Sequence, residues 1–318
     1  MKKLKPSLFF CLLIFLFSVS YVFALDKRLV FSLSHYIMAG IHETLGEIEE
    51  AIGEYKNVLK LDSQSILVHL NLASSYIKNN EIQKAIQQLN LAIAIEPEAV
   101  EPHAILALLY SAQGKTEEAN HEFEIALKNA SKLQPKNIDI YKVLGQLYLR
   151  QKNFKAAEET YRLILNISSQ DAEAYFYLGN IYDQLKDRAK TEEMLKEALK
   201  LKPDYAEALN YLGYLYVEED KKLDEAEIMI KKALEIEPDN GAYIDSLGWL
   251  YFKKAKYKEA LKELERAITL LEDPVIYDHL AEVYFKLGDL DNAKLNWQKS
   301  LELDPQQDKV KEKLEKLK

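Results

Sequence analysis

One residue pattern returns eight times between about Ser32 and Pro305, a small residue in one predicted helix followed by a second small residue, nearly always alanine, in the next. The second position holds Ala51, Ala85, Ala119, Ala157, Thr191, Ala226, Ala260 and Ala293, at spacings of 34, 34, 38, 34, 35, 34 and 33 residues. A period of this length predicts a stack of helical hairpins, each burying its apolar face against its neighbours, rather than a globular enzyme.

The first-helix position keeps the same register through Ala39, Ala73, Ala107, Gly145, Gly179, Gly213, Gly248 and Ala281. Three residues later come His42, Tyr76, Tyr110, Tyr148, Tyr182, Tyr216, Tyr251 and Tyr284, which places a ring on the same helical face as the small residue. Four residues after the second-helix position stands a bulky partner: Tyr55, Leu89, Phe123, Tyr161, Leu195, Ile230, Leu264 or Trp297. Small residues let paired helices approach closely, and the bulky ones fill the space between hairpins. Pro97, Pro203, Pro238 and Pro305 fall where second helices should stop, since proline cannot donate to the preceding turn. Gly46, Gly114 and Gly288 fall at the bend inside a hairpin, where a positive φ is needed.

The order Leu144-Gly145, Tyr148, Phe154, Ala157, Tyr161, repeated as Leu280-Ala281, Tyr284, Gly288, Leu290, Ala293, Trp297, Pro305, resembles the tetratricopeptide repeat family. The resemblance implies an all-α, right-handed α-solenoid of about eight tetratricopeptide helical hairpins, and a scaffolding or peptide-binding role. The stretch Gly241 to Trp249, with Asp273 to Leu280 after it, is similar to the last repeats of a group of exported bacterial repeat proteins.

In that family a set of first-helix positions faces a concave groove. Carried onto this sequence, the set is Lys142, Gln146 and Arg150 in repeat four; Phe176, Asn180 and Asp183 in repeat five; and Asn210 and Tyr214 in repeat six. The last two repeats add Asp245, Trp249 and Phe252, then Asp278, Glu282 and Phe285. Trp249 and Tyr214 are the anchors this reading favours, since interface hot spots are rich in aromatic residues with polar neighbours. Phe252 and Phe285 fit either the groove or the packing between repeats. The family's clamp for a partner's C-terminal carboxylate is loosely matched by Lys142 and Gln146. It is broken by Tyr177, Glu207 and Tyr211, so tail binding of that type is not expected.

Nothing else in the chain carries chemistry. Histidines 35, 42, 69, 103, 121 and 279 include no i, i+4 pair, so no metal site is expected. His69 and His103 share a repeat position and read as packing residues. No glycine-rich phosphate loop is present, and no cofactor is called for. Glu49-Glu50, Glu117-Glu118 and Glu192-Glu193 read as solvated faces of second helices, because lysines alternate with them.

Residues 1–24 read as a signal peptide: Lys2, Lys3 and Lys5 precede an apolar run from Leu8 to Phe17, and Val22-Phe23-Ala24 suits cleavage after Ala24. The alternative is an uncut inner-membrane anchor through residues 8–25. Cleavage removes the three lysines and no acid, taking the formal charge from −9 to −12, and with Cys11 the only cysteine. So acidic a chain argues against nucleic acid and anionic lipid as partners. Residues 25–135 hold repeats one to three and 136–305 repeats four to eight. Four extra residues near 129–137 either lengthen one helix by a turn or mark a joint between the blocks. At the end, 306–318 should form a capping helix with Val310, Leu314 and Leu317 inward. Gly40 and Gly53 lie inside helices of the first repeat, which should fray first.

These features describe a non-enzymatic adaptor, exported to the periplasm or bacterial envelope, that holds a protein or peptide in its groove. The alternatives are a structural part of an envelope-assembly or exopolysaccharide-secretion machine and an accessory regulator of a cell-wall enzyme.

Overall fold

The computed structural model describes residues 27–316. The signal-peptide reading and the place of Leu317 therefore lie outside the described residues. All regular structure in that range is helical, in seventeen helices. The first three hairpins are α1 (27–45) with α2 (Ile48–Leu61), α3 (Ile66–Lys78) with α4 (Ile82–Ile95), and α5 (Val100–Ala112) with α6 (Thr116–Leu133). They are followed by α7 (Ile138–Arg150), α8 (Phe154–Ile167), α9 (Ala172–Gln184), α10 (Arg188–Leu201), α11 (Ala206–Glu218) and α12 (Leu223–Ile236). The last are α13 (Gly241–Lys253), α14 (Tyr257–Leu270), α15 (Pro274–Leu287), α16 (Leu290–Leu303) and α17 (Asp308–Glu315). The residues cluster into two compact units that divide within α7, one up to Leu147 and one from Tyr148. Each is an all-α stack of helical hairpins, the solenoid arrangement.

The bend inside every hairpin is built the same way. The amide five residues after the ring-bearing position donates back to that position's carbonyl, as in Glu81 to Tyr76 (2.8 Å), Asp187 to Tyr182 (2.9 Å) and Asp289 to Tyr284 (2.9 Å). This bond closes a Schellman turn, which needs a left-handed residue just before the donor. Gly46, Gly114 and Gly288 take that conformation with φ of 80°, 72° and 83°, while Asn80, Lys152, Lys186, Asp220 and Ala255 hold it without glycine. The 35-residue spacing of repeat six is absorbed by Lys222, a further positive-φ residue before α12. The four extra residues after repeat three lie in α6, which has 18 residues where the other second helices have 14.

Both small positions are buried in every repeat where alanine or threonine stands, from Ala39 and Ala51 to Ala281 and Ala293. Thr191 satisfies its hydroxyl on the carbonyl of Asp187 (3.0 Å), so it packs as alanine does. Where glycine stands, the fit is closer still. A Cβ on Gly248 would meet Leu264 at 2.6 Å, and one on Gly213 would meet Ile230 at 2.8 Å. In the second unit the core runs from Leu195 through Leu212 and Ile230 to Leu264 and Leu280, and α17 closes it with Val310 buried against Ala281, Ala293 and Trp297.

Candidate functional site

The first helices of the second unit are laced to one another by side chains that leave one helix and end on a carboxylate of its neighbour. Tyr211 of α11 donates its hydroxyl to Asp183 of α9 (2.8 Å), and Trp249 of α13 donates its indole N–H to Glu218 of α11 (2.7 Å). His279 of α15 meets Asp245 of α13 through Nδ1 at 2.8 Å. Lys313 of α17 meets Asp278 and Glu282 of α15 at 2.6 and 2.8 Å. Four successive helix steps thus each carry a polar tie whose acceptor is acidic.

These ties revise the place of several residues expected to line a groove. Asp245 is buried and holds the buried His279; it is not a free acid on a surface. Asp278 accepts from both Lys313 and the indole of Trp297 (2.8 Å), and Glu282 is tied to Lys313, so both serve the capping helix. Asp183 is shared by Tyr211 and Arg188. Phe176 lies among rings, with centroids 5.1 Å from Tyr205 and 5.4 Å from Tyr177. Asn180 and Asn210 are half-buried, and the Asn210 Oδ1 is enclosed with no hydrogen-bond partner among the described residues. Lys142 is half-buried on α7, with Gln146 and Arg150 exposed further along that helix.

The aromatic residues separate in a way the sequence left open. Trp249 stacks on His279, ring centroids 4.0 Å apart at 10°, and on Phe252, 4.5 Å apart at 6°. It is partly buried, as are Phe252 and Tyr214, and the Lys253 ammonium lies 5.3 Å from its ring. Phe285, one hairpin on, is 41% exposed beside Trp297. A tryptophan held by two stacked rings and one hydrogen bond is fixed in orientation before any partner arrives.

Electrostatics follow the same contacts. Burial disfavours the charged form of His279, but the Asp245 carboxylate outweighs it through charge and hydrogen bond, so its pKa is raised above the ordinary imidazole value. Lys313 is raised likewise, its partial burial being overcome by Asp278 and Glu282. Burial raises the Tyr214 hydroxyl, with the charges of Glu218 and Asp245 adding to it. His279, Glu218 and Lys313 are site residues the sequence reading did not single out. The signal was there, since His279 stands one repeat length, 34 residues, after Asp245.

The other polar candidates are structural. His69 bridges Gln88 (2.8 Å) and the Ser63 carbonyl (3.2 Å), and His103 bridges Glu122 (2.6 Å) and the Pro97 carbonyl (3.2 Å), each tying its hairpin to the turn before it. Glu49, Glu50, Glu117, Glu118 and Glu193 are exposed. Glu192 departs from the solvated reading: it accepts from Tyr216 (2.8 Å), Lys196 (2.7 Å) and Lys222 (2.9 Å). Among the described residues no cluster of three or more His, Cys, Asp and Glu side chains is placed to hold a metal ion, and no helix is long and apolar enough to cross a membrane.

Residues 99–317 match the family model described as the cilia and flagella-associated protein 70 C-terminal domain, and residues 44–109 match a tetratricopeptide repeat model. The chain belongs to the tetratricopeptide repeat family. Solved structures of the same fold include a tetratricopeptide repeat protein from Parabacteroides merdae, 21% identical with a TM-score of 0.58, covering 80% of this chain and 98% of that one. PilF of Pseudomonas aeruginosa is 20% identical with a TM-score of 0.53, covering 68% and 96%. The Cut9-Hcn1 hetero-tetramer of the APC/C contains a chain 18% identical with a TM-score of 0.59; the match covers 89% of this chain and 55% of that one. At these identities the likeness is one of tetratricopeptide fold. No curated protein matches the sequence.

Proposed function

We propose that this tetratricopeptide repeat protein is a non-enzymatic adaptor, exported to the bacterial envelope, that holds a protein segment against the aromatic stack of α13 and α15. The observation that carries the reading is Trp249, oriented by His279, Phe252 and Glu218 yet only partly buried, with the exposed Phe285 one hairpin on. Aromatic side chains pre-ordered at a surface lose little entropy on binding and are the usual hot spots of protein interfaces. The laced carboxylates make the first-helix face a fixed platform rather than a set of free charges.

The test is capture of the partner from native envelopes by cross-linking, followed by binding measurements on the purified pair. Trp249→Ala and Phe285→Ala should each weaken binding by about 2 kcal/mol, roughly 30-fold, with helix content unchanged. Lys262→Ala, on the exposed side of α14, should be silent. A partner whose affinity ignores both ring substitutions would overturn the assignment.

A further inference from the structure

The helix α1 departs from every other described helix. Leu29, Val30, Phe31, Leu33, Ile37, Met38, Ile41 and Leu45 of α1 are all 42–67% exposed. On a helical wheel they spread over about 200°, from Leu29 and Leu33 beside Tyr36 through Ile37, Val30 and Ile41 to Met38 and Phe31, and leave Tyr36, Ala39 and Glu43 to face α2 and α3. Between Arg28 and Glu43 there is no Asp, Glu, Lys or Arg, and the two histidines, His35 and His42, are each tied to a carboxylate, Glu54 or Glu47. So beyond Lys27 the exposed arc of α1 carries no charge and is interrupted only by the hydroxyls of Ser34 and Thr44, where the outer face of a surface helix is ordinarily charged.

The size of this face is that of an interface. Aromatic side chains carry about 150–250 Å² each and the aliphatic ones here less, so eight of them about half exposed present roughly 600 Å² of apolar surface. That is at the top of the ~300–600 Å² range for the largest patch of an ordinary monomer and approaches the ~800 Å² each partner gives to a standard complex.

Three observations choose the occupant. The chain carries a net charge of −9, so two copies repel except where their surfaces are uncharged, and the outer face of α1 is such a place. The last hairpin of the second unit is closed: α17 buries Val310, packs Leu314 against it and presents charged residues outward. A copy therefore has no apolar acceptor there for another copy's α1, and head-to-tail growth is blocked. Gly40 lies on the same outer arc as Leu33 and Ile37, and a Cβ there would meet nothing within 4 Å. Glycine inside a helix costs about 1 kcal/mol relative to alanine. Gly213 and Gly248 offset that cost by close contact within the fold, whereas Gly40 makes no such contact.

We infer that the protein is a symmetric homodimer in which α1 of one copy packs on α1 of the other, with Ile37 near the two-fold axis and Gly40 admitting close approach of the two backbones. A self-complementary patch used by both copies is the closed, isologous solution. The inference does not depend on the aromatic stack of α13.

Sedimentation equilibrium on the protein as the cell exports it should give twice the mass of one copy at micromolar concentration. Ile37→Glu with Ile41→Glu should weaken the association by roughly tenfold or more while leaving the circular dichroism melt in place, because both side chains are exposed in one copy. Trp249→Ala should leave the mass unchanged, which separates this test from the partner-binding one. In a chain starting at Leu25, Ile37→Cys would be the only cysteine, and mild oxidation should join two copies through it, while Lys262→Cys should not join them. A single-copy mass at tens of micromolar, with or without residues 1–24 attached, would overturn the dimer. So would a double-copy mass that survives the two glutamates, or a single copy that binds phosphatidylethanolamine and phosphatidylglycerol vesicles through α1.

Discussion

Alanine in place of Gly248 should destabilise the seventh hairpin, and the same change at Gly53 should stabilise the first. In Gly248 the added Cβ would stand 2.6 Å from Leu264 Cγ and 2.9 Å from its Cδ2, with the Ala260 carbonyl oxygen at 3.4 Å. Carbon atoms in contact prefer about 3.5–4.0 Å, so Leu264 would have to retreat by roughly 1 Å. It is fully buried among Ile244, Ala260, Ala267 and Leu280, and the contact falls on its branch point rather than on a free end. Overpacking of this kind costs about 1–3 kcal/mol, from which the better helix propensity of alanine returns up to about 1 kcal/mol. The net loss is about 1–2 kcal/mol. Gly53 has nothing within 4 Å, so its replacement gains only the propensity term. Native-state hydrogen exchange is the assay, because coupling in a stack of repeats is mainly between neighbours. Amides of α13 and α14 should open about 5–30-fold more often in Gly248→Ala, with those of α3 and α4 unchanged. Exchange in α13 no faster than in the parent would refute the close-approach reasoning. Uniform loss of protection along the chain would refute the one-dimensional picture.

Ala255 holds a left-handed turn with φ of 57° that glycine holds in three other repeats, so Ala255→Gly should raise stability by about 0.5–1 kcal/mol in chemical denaturation. Because the folded-state pKa of His279 lies above its unfolded value, its contribution is present in full below about pH 6.5. It is lost as pH rises through the folded-state pKa. Protection of α13 and α15 should therefore fall as pH rises from 6 through that point, and His279→Gln should remove the dependence. Glu192 is held at about 2 by hydrogen bonds from Lys196 and Lys222 against its partial burial, with Tyr216 adding to them. Its contribution is present above about pH 4.5 and lost as pH falls toward 2. Glu192→Gln should flatten acid unfolding of the second unit by under about 1 kcal/mol, since the lysines are exposed.

Much of the fold is local and periodic, and that part was legible in the amino-acid order. The hairpin register, the two small positions and the left-handed bends recur about every 34 residues because each hairpin meets the same neighbour in the same way. Even the turn at Lys152, Lys186 or Ala255 follows from its place in the period, although no glycine marks it. Tertiary structure decided what the period cannot: which first-helix side chains cross to the next hairpin. Asp245, Asp278 and Glu282 share the helical face of Trp249 and Phe285, and as letters they are equivalent groove residues. Stacking of the hairpins spends the acids on His279 and Lys313 and leaves the rings part-exposed, because contact across a hairpin depends on its rotation against the last. The same holds for α1, whose letters read as an ordinary first helix. In the fold its apolar arc is a surface, because burial belongs to the neighbour as much as to the residue.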